Sequence, residues 1–548
     1  MNASRERFRS SVRRYRRLRT GAWVAALLLL QAPAPSRTLP PIPGEALESI
    51  KPSGLRKHLE FLASDELGGR YTLSQGNRIA ARYLATQLEA CGYRGPAAGG
   101  AGRDQAFFQK IAFKIDSLDP SKSVLTLSRK SETLMFNPGE HFRVSQAVSA
   151  NVTGELIYMG HGIASPSRKI NDYEGLSVRG RIVVLLPGFP PNWEGRRASF
   201  REFGVFPAAE QGAIAAIVLP SKPVSDAWAT GRANYGPERR VMARAEGTSF
   251  RSSIPQVTVS PVVADLILAG SGRDLAAVHA SLESRQAPSI QLKSEWTVSL
   301  RLEVRTRQEE SQNVVGILDG ADPKLREEYV AISAHFDHVE ARDGVVYNGA
   351  DDDGSGTASV LEIARALGLV RPRRSVLVVF HTGEEMGLLG SRYFTEIEPL
   401  VPLSKIVAVL NIDMIGRSRQ PGDPNPRNAE LTDPNSVYVI GSGRISSQLR
   451  EMNDYTAAEL GKVKLDYRYE QNDTRSFYTR SDHYNYARRG IPVAFFFTGE
   501  HEDYHAPTDD VEKIDFDKMA RIAQMIYATA WRVANLDERL TIDKKMAN

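Results

Sequence analysis

At 548 residues, with 42% hydrophobic and 25% charged side chains, the chain is too long for a single core and too apolar to stay disordered, which predicts two or three folded units. The formal net charge of +5 does not report a nucleic-acid surface, because residues 1–20 hold eight arginines against one glutamate and the rest of the chain is then slightly acidic. A single cysteine, Cys91, excludes an intramolecular disulfide and any CxxC metal or redox pair.

At the amino end the basic run MNASRERFRSSVRRYRRLRT precedes the apolar GAWVAALLLLQAPA, the pattern of an export signal over residues 1–34. The apolar stretch falls short of the ~20 residues that span a bilayer, so the expectation is a secreted or periplasmic protein with no stable membrane insertion after cleavage. Residues 35–50 are Pro-rich and read as a linker. From Lys51 to Gly92 two helical patterns flank the turn-rich LGGRYTLSQGN, and Cys91 ends the second of them after Ile79, Tyr83, Leu84 and Leu88, where it is expected in the core.

Between 125 and 292 the chain turns to short β-like runs (SVLTLS, GELIYMG, GRIVVLLPG, AAIVLPS, PQVTVS) with a helical PAAEQGAI segment among them. From Asn313 strands and helices alternate: EYVAISAHF, a helix over 354–369, SVLVVFHTG, a helix through Leu388 and Phe394, KIVAVLNID, SVYVIGSG and IPVAFFFTG. Such near-continuous apolar strands predict an α/β fold with a mostly parallel central sheet covered by helices on both faces. The last helix, expected over 515–536, carries Phe516, Met519, Ile522, Ile526 and Val533 on one side and closes the fold. Residues just past the strand ends then share one sheet edge, where open α/β proteins bind their ligands.

Five metal-binding side chains stand at the ends of apolar runs: His335, Asp351, Glu385, Asp413 and His505. Two imidazoles and three carboxylates cannot saturate two zinc ions separately. One shared carboxylate, however, gives each ion three protein donors and leaves positions open, as catalysis requires. His335 and Asp337, two apart at a strand end, point to one face, while the adjacent Glu384 and Glu385 diverge, so one can bind an ion as the other faces substrate. Asp413, inside the apolar VAVLNIDMIG, needs a metal or a cation to compensate its charge. A GxSxG elbow and a phosphate loop are both absent, which removes support from serine hydrolase and nucleotidase readings.

The segments AISAHFDHVE, NGADDDGSGTA, VVFHTGEEMG, VLNIDMIGR and HEDYHAPTDD strongly resemble the zinc-dependent exopeptidase family of the bacterial leucyl aminopeptidases, glutamate carboxypeptidases and glutaminyl cyclases. The resemblance covers about 312–536, with a weaker echo at 62–93. It implies the zinc exopeptidase fold and divides the chain into a signal peptide (1–34), a linker (35–50), an N-terminal peptidase part (51–124), an inserted β-rich domain resembling a protease-associated domain (125–292) and a catalytic domain (293–540).

It also implies two Zn2+ ions per chain. Asp351, Glu385 and His505 would hold one, and Asp351, His335 and Asp413 the other, with Asp351 bridging and a cis bond between Asp351 and Asp352. Asp337 is implied as acceptor of the second N–H of His335, Asn411 and Arg417 as supports of Asp413, and Asp509 as the group orienting His505, with His501 and His483 as competitors for that last ligand position. Glu384 is implied as general base to a bridging hydroxide and Tyr478 as the oxyanion donor, so that Glu384, Tyr478 and Asp337 form the catalytic set. The implied activity is removal of N-terminal residues from peptide substrates. The alternatives are a carboxypeptidase, which would need Arg417, Arg475 or Arg480 to hold a substrate carboxylate, and a receptor-like binding protein without catalysis.

Overall fold

Strands Tyr329–His335, Ser375–His381 and Ile406–Ile412 are buried along almost their whole length, as strands covered on both faces must be. They run parallel to one another, and Val493–Phe497 extends them in the same sense. The computed structural model describes residues 39–97, 104–189, 202–231, 235–245, 254–284, 295–341 and 344–544, and the leader expected over 1–34 lies outside the described residues.

The flanks of this sheet correct the expectation of a mostly parallel one. On one side Val304–Leu318, Phe108–Leu118 and Arg239–Met242 add antiparallel, and on the other Ser436–Ile440 pairs antiparallel with Val493–Phe497, with Lys464–Asp466 outermost. The sheet is mixed, with a parallel centre. The reason shows in Val304–Leu318: its second half is buried and its first half largely exposed, a situation antiparallel strands tolerate and parallel ones rarely do.

Helices cover both faces. Ala331, Leu377, Val379, Val409 and Val493 share one cluster with Phe394 and with Tyr486 of the short helix His483–Ala487. Helix Gly356–Leu369 and the terminal helix Phe516–Asn535 contact the strands as well as each other, and Pro52–Leu62 packs on both. The terminal helix is buried on nearly every side, more fully than its apolar stripe predicts, and Asp515 caps it by accepting the Lys518 N–H. Cys91 follows helix Gln75–Ala90 and is only half-buried.

Among the described residues a second sheet of eight strands is built mostly from the segment expected as an insert. Leu125, Leu127, Ile182, Val184, Ile217, Val257, Val298 and Leu300 form its core with helices Pro261–Leu268 and Leu275–Glu283. Two strands cross the expected boundary at 292. Thr297–Leu302 lies in this second sheet, and Arg239–Met242 joins the main one, where Arg239 forms a buried ion pair with Asp116 at 2.7 Å. The chain therefore passes between the sheets at Glu303, within one compact unit spanning Pro41–Asn548.

Candidate metal centre

His335 is the last residue of its strand, Asp413 follows Ile412 directly, and Glu384 and Glu385 come after His381 through Gly383, whose φ of +70° suits a residue without Cβ. Asp352 lies in the loop that opens helix Gly356–Leu369, and His505 in the loop beyond Val493–Phe497. All of them thus meet at the carboxyl ends of the parallel strands.

The three consecutive aspartates divide their tasks differently from the sequence expectation. Asp352, not Asp351, faces the cluster: its Oδ1 lies 3.3 Å from His335 Nε2, and its Oδ2 lies 3.0 Å from His505 Nε2 and 3.6 Å from His338 Nδ1. Asp351 turns away, accepting the Gly416 N–H (2.6 Å) and the Ser355 hydroxyl (2.8 Å) with Oδ1 and facing His501 with Oδ2. Asp353 accepts the N–H groups of Gly356, Met414 and His335. The backbone leaves helical geometry at Asp352 (φ −101°, ψ 101°) and Asp353 (φ −112°, ψ 50°), and of the three carboxylates only the middle one is presented to the cleft. The non-proline cis bond joins Asp352 to Asp353 instead of Asp351 to Asp352.

Two donor sets result. Around His335 Nε2 stand Asp352 Oδ1, Asp413 Oδ1 at 3.6 Å and Glu384 Oε2 at 3.9 Å. Around His505 Nε2 stand Asp352 Oδ2 and Glu385 Oε2, each at 3.0 Å. His338, which the sequence pattern does not single out, adds Nδ1 at 3.0 Å from Glu385 Oε1. Its signal is the HFDH run, but the strand ends at His335, so alternation along it says nothing of where His338 points.

The supporting groups also differ from expectation. His335 Nδ1 meets the Asp337 backbone carbonyl at 3.1 Å, which fixes the tautomer, while the Asp337 carboxylate accepts the Thr72 hydroxyl (2.8 Å) and the Glu384 N–H (3.2 Å). Asp413 Oδ2 accepts from Ser481, which accepts from Asn411, which accepts from Ser333. Arg417 serves Asp503 and His501, and Asp509 accepts the N–H groups of Asp351 and Asp352 and so holds that loop instead of orienting His505. His483 stacks on Phe495, away from both donor sets. Beneath all this the buried guanidinium of Arg70 donates to the carbonyls of Leu62, Phe336, Asn348 and Gly349, tying together the two ends of the connection between strand Tyr329–His335 and the Asp352 segment, on which His338 lies.

Tyr478 is not at the cleft. The Asp473 carboxylate accepts the N–H groups of Phe477 and Tyr478, and this turn sends Phe477 to the cleft and Tyr478 into the core, under the Arg444 guanidinium at 3.9 Å. The tyrosine that does line the cleft is Tyr504, stacked on His505 with centroids 4.0 Å apart. The cleft has an apolar wall of Met414, Phe477, Phe495 and Phe497 and a rim of Arg480 and Glu500.

Electrostatics match the crowding of donors. Burial alone would lower the His335 imidazole, but the facing Glu384 and Asp413 raise it well above its usual range. Burial opposes ionisation of Asp352, yet His335 and His505 hold its carboxyl well below the usual range. Burial pushes Glu384 well above that range, and His335 opposes the shift. His505 is lowered by burial but raised more by Asp352 and Glu385, to about 10. Asp352 Oδ2, Glu385 Oε1 and both His338 nitrogens are buried with no hydrogen-bonding partner among the described residues, a cost that folded proteins rarely leave uncompensated. Carboxylate oxygens and imidazole nitrogens are zinc donors, so this residue set fits the metal.

The chain superposes on the aminopeptidase from Aneurinibacillus sp. strain AM-1 with a TM-score of 0.54 at 20% identity, covering 91% of this chain and 98% of that one. For BSAP, a zinc aminopeptidase from Bacillus subtilis, the TM-score is 0.53 at 19% identity, covering 90% and 98%. The protein thus has the α/β fold of those two structures, with a carboxylate and imidazole cluster at the strand ends. Residues 313–530 match Peptidase family M28, and the chain carries a peptidase M28 domain. Curated relatives include a probable leucine aminopeptidase 2 of Aspergillus oryzae, 34% identical over 41% of each chain, and the aminopeptidase YwaD of Bacillus subtilis, 27% identical over 45% of this chain and 50% of that one. The chain spans half or less of the length of these two relatives.

Proposed function

We propose that the protein is a zinc-dependent exopeptidase that removes N-terminal residues from peptides. The observation that carries the reading is Asp352, whose two oxygens face two separate donor sets, one at His335 and Asp413 and one at Glu385 and His505. Two Zn2+ ions held there would polarise a peptide carbonyl and ease deprotonation of water near neutral pH. Glu384, buried beside His335 with a raised pKa, is placed to take the proton of the attacking water and pass it to the leaving amine. Asp337 holds the backbone of that glutamate and is a positioning residue. The apolar wall of Phe477, Phe495 and Phe497 receives the side chain of the residue removed.

Charge favours a free amino end over a free carboxylate. Each cation a carboxypeptidase could use is already paired: Arg475 and Arg480 with Glu500, Arg417 with Asp503. The relatives named as aminopeptidases support the same direction. Export by the basic and apolar leader belongs to this proposal, and among the described residues no helix is long and apolar enough to cross a membrane. Hydrolysis of aminoacyl-anilides should exceed that of N-blocked peptides. Cleavage of blocked peptides alone would make the protein a carboxypeptidase, and no zinc in the purified protein together with no hydrolysis of either would make it a binding protein.

A further inference from the structure

We infer that His338 is a fourth protein donor to the ion held by Asp352, Glu385 and His505, which closes that half of the centre and leaves the open position on the His335 half. The inference rests on the proposed zinc-dependent function of the same cleft.

His338 is fully buried, yet neither ring nitrogen has a hydrogen-bonding partner among the described residues. Its Nδ1 nevertheless lies 3.0 Å from Glu385 Oε1 and 3.6 Å from Asp352 Oδ2. Contact at that range without hydrogen-bond alignment is the arrangement of donors aimed at a common third point.

One ligand atom each from His338, Asp352 and Glu385 lies within 4.8 Å of the others. Around a tetrahedral zinc with bonds of about 2.0–2.1 Å, donor atoms stand roughly 3.3–3.4 Å apart. His505 Nε2 to Asp352 Oδ2 and to Glu385 Oε2, and His338 Nδ1 to Glu385 Oε1, are each 3.0 Å, while His338 Nδ1 to Asp352 Oδ2 is 3.6 Å. The His338 and His505 rings meet edge-on at 71° with centroids 5.7 Å apart, which lets both approach one point without stacking. The backbone also makes room: a Cβ at Gly349 would stand 2.5 Å from His338 Cγ, so the ring can occupy this position only over a glycine.

The two halves then differ in kind. Two imidazoles and two carboxylates complete a closed shell on the His505 side, whereas His335, Asp352 and Asp413 supply three donors and leave a place beside Glu384. The His505 side should fill first and empty last.

The test strips the full chain with a chelator and reloads it with Zn2+ against a chromophoric competitor, with zinc-edge X-ray absorption on the singly and doubly loaded forms. The expected result is two ions of unequal affinity, two imidazoles on the first ion and three shared by the pair. In His338→Ala the tighter affinity should fall by more than the roughly 10–100-fold typical of losing a group that merely supports a ligand, with the weaker site unchanged. Should that variant not fold, the absorption count on the unaltered chain decides alone. One imidazole on the first ion, or a tighter site within tenfold of the original in His338→Ala, overturns the inference while leaving the proposed function standing. A wild-type chain that binds no zinc overturns both.

Discussion

Asp337 Oδ1 accepts the backbone N–H of Glu384 at 3.2 Å, so the residue whose backbone carbonyl meets His335 Nδ1 also holds the next strand's loop in place through its carboxylate. Its other oxygen takes the Thr72 hydroxyl at 2.8 Å. In Asp337→Asn one amide oxygen must serve two donors, and the orphaned one costs about 1–3 kcal/mol. The expected outcome is a lower melting temperature and a lower kcat on an aminoacyl-anilide with zinc content unchanged. A variant that loses zinc but keeps the kcat of its loaded fraction would contradict the positioning role.

The aspartate register can be read by metal analysis. Asp352→Asn should hold less than one zinc per chain, because one side chain serves both donor sets, whereas Asp351→Asn should keep both ions because its carboxylate faces Gly416, Ser355 and His501. The reverse pattern would return the bridging role to Asp351.

Glu384→Gln should retain both ions, since the donors nearest His335 Nε2 are Asp352 and Asp413 at 3.3 and 3.6 Å against 3.9 Å for Glu384. Its turnover should drop by about 10²–10⁴-fold, the usual worth of a general base. Single-turnover rates with metal content measured in parallel check this, and an unchanged rate removes the base assignment.

The metal-free protein should lose stability as pH rises. His505 is raised from 6.5 to about 10 by Asp352 and Glu385 against its burial, so its contribution is complete below 6.5 and disappears as pH climbs through about 10. Zinc must displace that proton, so the stabilisation by added zinc should grow over the same interval. Melting curves at pH 6, 7.5 and 9, with and without zinc, test both trends, and a metal-free melting temperature that does not fall across this range is the contrary result.

What the amino-acid order reveals about this centre depends on how strongly a residue is isolated in its surroundings. His335 and Asp413 terminate long apolar runs, where a polar side chain is costly to bury unless a metal or a partner compensates it. Among Asp351, Asp352 and Asp353, by contrast, composition and spacing are the same for each, and the choice is made by distant partners, Asp509 on one side and Gly416 with Ser355 on the other. His338 stays hidden because alternation has no meaning past the strand end. Tyr478 misleads because a motif position does not encode the turn that Asp473 imposes. At the level of fold, the parallel centre is legible in its continuous apolar strands. The antiparallel flanks are not, since their pairing depends on Phe108–Leu118, about two hundred residues away from its partner Val304–Leu318.

The reach of Arg70 bears on how the molecule can be dissected. Its guanidinium bonds to carbonyls at Phe336, Asn348 and Gly349 from a segment outside the family-matched stretch 313–530, and Phe108–Leu118 seals the flank of Val304–Leu318 from the same side. A fragment trimmed to the matched stretch would bare a long sheet edge, which invites aggregation, and would free the connection carrying His338 and Asp352 from its tie to Arg70. The family-matched stretch is accordingly not packed as a self-sufficient unit, because its ligand-bearing connection and its outer strand lean on residues amino-terminal to it.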